Sequence, residues 1–405
     1  MERNQAENYL QELDTQYQLN KITKTIQTCS DKIIPIKIAS FHDVHLGHHR
    51  TIATDVVARF HKVLDDEAEV SSWDMLVFPG DLFDRLLYLT FQYLQDVLVL
   101  FTRILKLAHK HNFIIRILEG TPGHDYKQSN LVKIVAAILD IAMGLKVDLK
   151  YVSELSIEYI DKYGITMLYV PDEWDTDVVS TYEQARELMK QRNLTQVDYC
   201  LLHGAFNYQI DSSLNPKAHS EELWSNLVRY YIFAGHVHFK SQYKNILVAG
   251  SFDRLAHGEE QPKGWLTCEI KDTGEHEIIF HENKFATIYK TLDVRGKSLE
   301  EALTFIEDEC NKVPDYSHIR LFSDSRDTIT EGLKTLKQKF SFIFFTIKID
   351  KKEEVKRQKT IKLISDKFQT ISLDKDNIVR VIADRLKEMP EINSEYVLQQ
   401  LHKHM

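Results

Sequence analysis

The sequence contains few of the residues that mark secreted, fibrous or membrane proteins. Its 405 residues include only 4 cysteines, 14 glycines and 8 prolines, which excludes a disulfide scaffold, a collagen-like chain and a low-complexity fibre. No run approaches the roughly 20 apolar residues that a membrane helix needs, and the first ten residues are mostly polar. We therefore expect a soluble, unexported, cytoplasmic protein with reduced cysteines.

An excess of positive charge is also absent. The chain has 51 Lys and Arg against 60 Asp and Glu, for a formal net charge of -9. This balance argues against a generally basic nucleic-acid binder, although a local basic groove or metal-mediated contact with phosphates stays open. The hydrophobic fraction of 43% is ordinary for a globular protein. At roughly 100–200 residues per domain, the length predicts two or three domains.

Short apolar, β-branched runs alternate with segments of helical periodicity. Strands are predicted within IPIKIAS and at Asp74–Phe78, Phe113–Leu118, Val152–Tyr159, Ile165–Val170, Tyr199–Leu202, Tyr231–Ala234 and Ile246–Ala249. Helices are predicted at Thr51–Glu69, Tyr88–His111, Leu131–Met143 and Glu183–Arg192. Such alternation is typical of an α/β domain with a mixed, largely parallel core.

The pattern divides the chain into four parts. Residues 1–32 form a polar helical arm, 33–285 the α/β domain, 286–350 a small α+β module, and 351–405 a linker and helical tail. The linker begins with the basic run KKEEVKRQK, and Pro390 separates two amphipathic helices in the tail. Such a tail folds back onto the domain or docks on another protein.

Aspartate and histidine follow five of the predicted strands, in motifs that are weak alone and informative together. They are Asp43-Val-His45, Gly80-Asp81-Leu-Phe-Asp84, Gly123-His124-Asp125, Leu202-His203-Gly204 and Gly235-His236-Val-His238. In α/β sheets, ligands bind beyond the carboxyl ends of the strands. We therefore expect these side chains to meet at one edge of the domain.

The residue types predict a centre for two divalent metal ions. Carboxylate oxygen together with imidazole nitrogen suits Mn²⁺, Fe or Zn²⁺, whereas an all-oxygen site suits Mg²⁺ or Ca²⁺. Two ions about 3.5–4 Å apart clamp the attacking and leaving oxygens of an in-line displacement. The motifs thus favour phosphoester hydrolysis.

The order DxH, GDxxD, GxHD, H and GHxH resembles the calcineurin-like metallophosphoesterase superfamily. His45-Leu46-Gly47 and the segment from Gly250 to Gly264, which contains GSFDRL, are similar to the SbcD/Mre-type DNA-repair nucleases. The resemblance covers about residues 36–270. It implies a four-layer sandwich of mixed β-sheets flanked by helices, in which 286–350 is a capping, DNA-binding domain and the tail binds a partner.

The resemblance also implies a role for each motif residue. Asp43, His45 and His238 would hold one ion, Asp81 would bridge, and His203 and His236 would hold the second. His124 would be the catalytic histidine, with Asp125 fixing its tautomer. Asp84 would orient a ligand histidine or a loop at the active site.

One position departs from the family pattern. Where the family has Gly-Asn-His-Asp and the asparagine binds the second metal, this chain has Pro122-Gly123-His124-Asp125. Glycine offers no side-chain ligand, so water, a substrate oxygen or a neighbour such as Thr121 would fill the place. We expect weaker binding of the second ion, and substitution of Gly123 by asparagine should raise metal affinity.

Other polar residues near the motifs have two interpretations. His48 and His49 either reach the metal or DNA or belong to a solvated loop. Arg254 and Lys263 either hold a phosphate or pair with local carboxylates. His219 and Cys200 are assigned to structure.

The resemblance implies a DNA nuclease that cleaves phosphodiester bonds at double-strand ends or hairpins in repair, recombination or replication. The expected cofactors are two divalent ions, Mn²⁺ first, with Mg²⁺, Fe and Zn²⁺ as alternatives. The expected partners are DNA, a second copy of the chain and an SbcC-type, SMC-like coiled-coil ATPase, in a bacterial or phage-infected cell. The alternatives are a phosphatase or small-molecule phosphodiesterase, and a catalytically weak DNA-binding scaffold.

Overall fold

The computed structural model describes residues 35–48, 53–88, 92–210, 217–324 and 326–350. The arm predicted for 1–32, the tail predicted for 351–405 and His49 lie outside these residues. The described chain contains two compact units. The first comprises the described residues up to Lys290 together with 313–318, and the second comprises 291–312 and the described residues from 319 onward.

Fifteen strands lie within the described residues. Those of the first unit's two sheets are β1 Ile36–Ser40, β2 Met75–Pro79, β3 Ile114–Leu118, β4 Leu149–Val152, β5 Ser156–Ile160, β6 Ile165–Val170, β7 Val197–His203, β8 Val228–Gly235, β9 Ser241–Tyr243, β10 Ile246–Val248, β11 Gly264–Ile270 and β12 His276–Glu282. The last three are β13 Tyr289–Asp293, β14 His318–Ser323 and β15 Phe344–Ile349.

Nine helices accompany these strands in the described part of the chain. They are α1 Ala53–Leu64, α2 Glu67–Ser71, α3 Gln92–His111, α4 Pro122–Asp125, α5 Asn130–Met143, α6 Val178–Gln191, α7 Glu221–Leu227, α8 Leu299–Cys310 and α9 Arg326–Lys339. None of them is both long and apolar enough to cross a membrane.

The first unit is built on two six-stranded mixed sheets. The first sheet has the order β12-β11-β1-β2-β3-β4, in which β1 to β4 are parallel and β11 is antiparallel to both of its neighbours, β1 and β12. The second has the order β5-β6-β7-β8-β10-β9, in which β6, β7, β8 and β10 are parallel. Parallel strands place their carboxyl ends at the same edge of each sheet.

Three apolar clusters define four layers. One cluster joins the outer face of the first sheet to helices α1, α3 and α5. The second lies between the two sheets and includes Ile38, Val77, Tyr169 and Phe233. The third joins the outer face of the second sheet to α6 and α7. The unit is therefore an α/β sandwich of the order helix, sheet, sheet, helix, as the sequence predicts.

Local sequence explains several of the element boundaries. The parallel strands are mostly apolar because both of their faces are covered, and β2 and β3 are buried at every position. Helix α6 begins at Asp177, whose carboxylate accepts from the backbone N–H groups of Val179 and Ser180. Buried Cys200 and Cys268 lie within strands β7 and β11.

The second unit is a small α+β module. Helix α8 begins with a capping box, in which the Ser298 hydroxyl and the Glu301 carboxylate each accept from the other residue's backbone N–H. Its buried side chains are Ala302, Ile306 and Cys310. Strands β13, β14 and β15 form a three-stranded sheet.

Two predicted elements differ from the structure. The strand predicted at Val152–Tyr159 is wrong, because β4 ends at Val152 and β5 begins at Ser156, in the other sheet. The helix predicted at Thr51–Glu69 is interrupted at Asp66, whose carboxylate accepts from the backbone N–H of Glu69 and starts α2. Apolar periodicity runs through both breaks and does not reveal them.

Candidate metal centre

The predicted site residues come from the carboxyl ends of parallel strands in both sheets. In the first sheet, Asp43 and His45 follow β1, Asp81 follows β2, and His124 follows β3. In the second sheet, His203 is the last residue of β7, and His236 and His238 follow β8. The fold therefore brings side chains that lie far apart in sequence to one edge of the sandwich.

The backbone turns sharply at four of these residues. Asp43, His45, Asp81 and His236 have φ angles of 45°, 53°, 48° and 95°. Such values cost about 1–3 kcal/mol each for a non-glycine residue and persist only where the surroundings hold them. Strain of this kind gathers at functional sites.

Two motif glycines allow the imidazole of His203 to lie against neighbouring strand ends. A β-carbon at Gly80 would lie 2.0 Å from His203 Nδ1, and one at Gly235 would lie 2.3 Å from the carbonyl oxygen of Pro79. His203 Nδ1 donates to that same oxygen at 2.7 Å. A side chain at either glycine would displace the ring.

One group of possible metal ligands comprises Asp43, His45 and His238, whose ligand atoms all lie within 4.8 Å of one another. The Nε2 atoms of the two histidines are 3.1 Å apart. Oδ1 of Asp43 accepts from the backbone N–H of His236 at 2.8 Å, whereas buried Oδ2 has no hydrogen-bond partner. A buried, unsatisfied carboxylate oxygen beside two imidazoles is a donor set that fits a divalent ion.

A second group comprises Asp172, His203 and His236, and a third joins Asp81 to Asp43 and His203. Asp81 lies at the centre of the site. Its Oδ1 is 3.4 Å from His203 Nε2, and its Oδ2 is 3.6 Å from His45 Nε2. A carboxylate that faces both groups of ligands has the position that a bridging ligand requires.

Asp81 and His203 shift each other's pKa values. Burial alone would raise the pKa of Asp81, but the charge of His203 and the hydrogen bonds of His124 and His203 hold it well below its usual value. Burial would lower the pKa of His203, yet the charge of Asp81 raises it well above its usual value. The Asp81 carboxylate is therefore ionised, which is the state in which it can bind a cation.

Outer contacts orient three of the histidines. The bond from His203 Nδ1 to Pro79 leaves Nε2 directed at Asp81. His238 Nδ1 lies 3.1 Å from Glu259 Oε1, and His45 Nδ1 lies 3.3 Å from Asp84 Oδ1. Carboxylates and carbonyls in such positions fix the tautomer of a metal-binding histidine. Asp84 is thus a charged neighbour of His45, although His45 Nδ1 makes no hydrogen bond, and the role predicted for Asp84 stays a prediction.

His124 and Asp125 differ from the prediction. The His124 ring meets Asp81, at 2.9 Å from Nδ1 to Oδ2, and this hydrogen bond raises the pKa of His124. Asp125 instead accepts from the backbone N–H groups of Phe83 and Gly120, each at 2.7 Å. Burial and the charge of Asp81 raise the pKa of Asp125 to about 8. The expectation that Asp125 fixes the His124 tautomer is therefore wrong, since Asp125 ties together two loops.

The remaining predicted residues lie around this centre. His48 follows the Asp43–His45 turn, is partly exposed and donates its backbone N–H to His45. The Arg254 guanidinium donates to the carbonyl oxygens of Ala286 and Thr287 at 3.4 and 3.2 Å. Lys263 is buried and ion-pairs with Glu259 at 3.0 Å. Of the two interpretations given for Lys263, this contact matches pairing with a local carboxylate.

Three residues of the site escape the sequence analysis. Asp172 lies two residues after β6, Glu259 contacts His238, and buried His42 connects the two sheets. Asp172 stands in PDEWDTD, directly after a predicted strand, so its position was the signal that could have revealed it. His42 and Glu259 stand beside motif residues in sequence, but only the folded contacts show what they do.

The Asp and His groups can hold a divalent metal ion, and this allows a metal-dependent hydrolase. Comparisons with known proteins add little. No protein-family model and no curated protein match the chain. It is similar to TT1561 of Thermus thermophilus, with 10% identity and a TM-score of 0.36 over 61% of this chain and 99% of that one.

The glutamine-dependent NAD+ synthetase from Acinetobacter baumannii is also similar, with 10% identity and a TM-score of 0.30 over 88% of this chain and 73% of that one. Likenesses this low carry no argument. The functional conclusion therefore depends on the geometry of the site itself.

Proposed function

We propose that the chain is the nuclease subunit of an SbcD/Mre-type, calcineurin-like metallophosphoesterase that hydrolyses DNA phosphodiester bonds with two divalent ions, Mn²⁺ first. The observation that carries this proposal is the place of Asp81, which faces both groups of possible ligands. Asp43, His45 and His238 would hold one ion, and His203 and His236 the second. Bound there, the ions would polarise the phosphoester and supply a nucleophile at neutral pH.

The chain's own residues would position the substrate and move protons. His124 is 41% exposed while its Nδ1 contacts Asp81, so its ring is accessible to a phosphate and held in orientation. The raised pKa of His124 favours the protonated ring that can donate to a leaving oxygen. Asp125 would hold the loops after β2 and β3 at a fixed separation through its two backbone contacts.

The partners follow from the same proposal. We expect a homodimer that works with an SbcC-type, SMC-like ATPase, which would bind the tail at 351–405. The net charge of -9 suits a subunit that leaves part of the DNA binding to this partner. Residues 286–350 would act as a capping, DNA-binding domain.

A second candidate is a phosphatase or small-molecule phosphodiesterase. A cavity of about 170 Å³ lies beside the site, and Asp172, Glu173, Asp175 and Trp174 are among its lining residues. Lys217 also lines the cavity and ion-pairs with Glu173 at 2.7 Å, so the lining carries both charges and it is the small volume that favours a compact substrate. Hydrolysis of simple phosphate esters without DNA cleavage would support this candidate.

The test is cleavage of end-labelled linear and hairpin duplex DNA with Mn²⁺, Mg²⁺ or EDTA. Wild type is compared with His124→Ala and with the matched control His109→Ala, which alters an exposed histidine at the end of α3. We expect cleavage with Mn²⁺, none with EDTA, a loss of about 10²-fold or more in His124→Ala, and no change in His109→Ala.

The other outcomes separate the alternatives. Bis(p-nitrophenyl) phosphate or phosphomonoester turnover without DNA cleavage, even with the cognate ATPase present, would replace the nuclease by the second candidate. DNA binding without turnover of any ester would indicate the catalytically weak scaffold.

A further inference from the structure

The loop after β6 enters the metal centre from the second sheet. Strands β6, β7 and β8 are parallel neighbours, with Val170 opposite Leu202 and Leu202 opposite Ala234. Their carboxyl ends therefore lie side by side at one edge. Asp172 leaves this edge two residues beyond β6, next to the residues that end or follow the other two strands.

The contacts of Asp172 are with histidines of the predicted second metal site. Its Oδ2 lies 3.7 Å from His236 Nδ1, and its side chain is 11% exposed. Ligand atoms of Asp172, His203 and His236 all lie within 4.8 Å of one another. A carboxylate held at this distance from two imidazoles completes a three-residue donor set.

Gly123, the residue before His124, offers no side-chain ligand. A β-carbon at Gly123 would meet nothing within 4 Å, so the space that an asparagine would fill is open. Thr121 is already engaged, because its backbone N–H donates to Asp81 at 2.6 Å and its hydroxyl lies 3.3 Å from Oδ2 of Asp81. A neutral hydroxyl is also a weaker ligand than a carboxylate for a divalent ion.

We propose that Asp172 is a ligand of the second metal ion and takes the coordination place that Gly123 leaves open. This assignment rests on the proposed two-metal function. In this arrangement the carboxylate of Asp172 stands where the family has the neutral amide of an asparagine. Asp43, Asp81 and Asp172 would then together oppose the charge of two divalent ions. The second ion is therefore held more tightly than the glycine alone would predict.

The assignment is tested by titrating the full-length, metal-free chain with Mn²⁺. Calorimetry measures the affinity and number of the bound ions, and EPR reports their environment. Wild type should bind two ions. Asp172→Ala should bind one ion as before and lose at least about 10-fold in affinity for the other, since even outer contacts of a metal ligand are worth roughly 10–100-fold. Glu173→Gln, a neighbouring change of the same charge, should behave as wild type.

A rescue variant sharpens the test. In Asp172→Ala, the added change Gly123→Asn should restore part of the lost affinity, because the asparagine has room to reach the ion. If Asp172→Ala is poorly folded, Asp172→Asn keeps the side-chain shape but loses the negative charge, so it should still bind the second ion more weakly than wild type.

The outcomes distinguish this assignment from the proposed function. Two ions bound unchanged in Asp172→Ala and Asp172→Asn would overturn the assignment and leave the nuclease standing. Two ions in wild type and a selective loss in the variants, without DNA cleavage, would support the assignment and reject the nuclease. Fewer than two ions in wild type would overturn both.

Discussion

At the scale of the single residue, buried His42 connects the two sheets beneath the metal centre. Its Nδ1 donates to the carbonyl oxygen of Ala234 in β8, and its Nε2 accepts from the Ser40 hydroxyl, each at 2.8 Å. Both contacts suit a neutral ring. Burial lowers the pKa of His42 to about 4, although the charge of Asp43 partly opposes this.

The lowered pKa predicts a loss of stability in mild acid. The ordinary pKa of 6.5 applies in the unfolded chain, so between about pH 6.5 and 4 the unfolded state binds a proton that the folded state excludes. The contribution of His42 to the free energy of unfolding is complete above pH 6.5. As the pH is lowered within this window, it falls by about 1.4 kcal/mol per pH unit. Urea unfolding of the metal-free protein in EDTA measures it.

The control for this prediction is His42→Asn, which keeps a donor near Ala234 and does not titrate. The free energy of unfolding is plotted against pH for wild type and for His42→Asn, and one curve is subtracted from the other. The subtraction cancels the contribution of every titrating group that the two proteins have in common. A difference that stays constant from pH 7 to 4.5 would contradict a neutral, buried His42.

The residue scale also shows why part of the site could be predicted. Asp43, His45, Asp81, His203, His236 and His238 are adjacent to strands in the sequence, so strand patterns alone locate them at one edge. Asp172 has no histidine beside it, and Asp125 stands next to His124 yet contacts other loops. Neighbours in sequence thus identify which edge a side chain occupies, but not the group that it contacts.

At the scale of the elements, an ion pair joins the two sheets inside the sandwich. The Arg116 guanidinium of β3 forms a bidentate ion pair with the Glu158 carboxylate of β5, with N–O distances of 3.0 and 3.1 Å. The Arg116 side chain is only 2% exposed. The Tyr169 hydroxyl of β6 also donates to Glu158. This network lies where the chain passes from the first sheet to the second.

Removing the arginine should be costly. In Arg116→Met the half-buried Glu158 loses its closest counter-charge and keeps only Lys150, at 3.7 Å. A broken buried pair typically costs about 3–5 kcal/mol, so we expect a loss near the lower end of that range. The double change Arg116→Met, Glu158→Met should recover much of this loss because no charge is left unpaired. Denaturant unfolding provides the measurement.

Arg186→Met is the matched control, since Arg186 is 57% exposed and lies 4.0 Å from Glu183. Exposed pairs contribute about 0–1 kcal/mol, so this variant should resemble wild type. Equal losses for Arg116→Met and Arg186→Met would show that the inter-sheet pair has no special role.

Element prediction succeeds where burial is uniform. The mostly apolar runs at β2 and β3 can be recognised in the sequence because both faces of these strands are covered. The passage from β4 to β5 is not, since Ser153, Glu154 and Leu155 interrupt an otherwise strand-like run without a proline or glycine. The change of sheet is accompanied by long-range contacts such as Arg116–Glu158, which periodicity does not contain.

At the scale of the whole molecule, the acidic balance bears on how DNA would bind under the proposed function. With a net charge of -9, contacts to phosphates have to come largely from bound ions and from local groups near the centre. Each neutralised phosphate contributes about -0.9 to the slope of log affinity against log salt concentration.

We therefore expect DNA binding by the His124→Ala variant to need Mn²⁺ and to show a slope between about -1 and -3. Fluorescence anisotropy with labelled duplex DNA, with and without EDTA, measures both quantities. A steep slope that EDTA does not change would indicate a basic surface instead. No slope at all would argue against phosphate contact.

The distance along the chain between the two sides of the centre has a consequence for biosynthesis. His45 and His238 are 193 positions apart, yet their Nε2 atoms lie 3.1 Å from each other. At roughly 5–20 residues per second, a ribosome needs roughly 10–40 s to make the chain between them. Throughout that time the nascent N-terminal half exposes aspartates and histidines without their partners. If ions bind as proposed, the ligand groups that contain His236 and His238 are complete only after the chain has been made to His238, so these ions would be loaded late in synthesis.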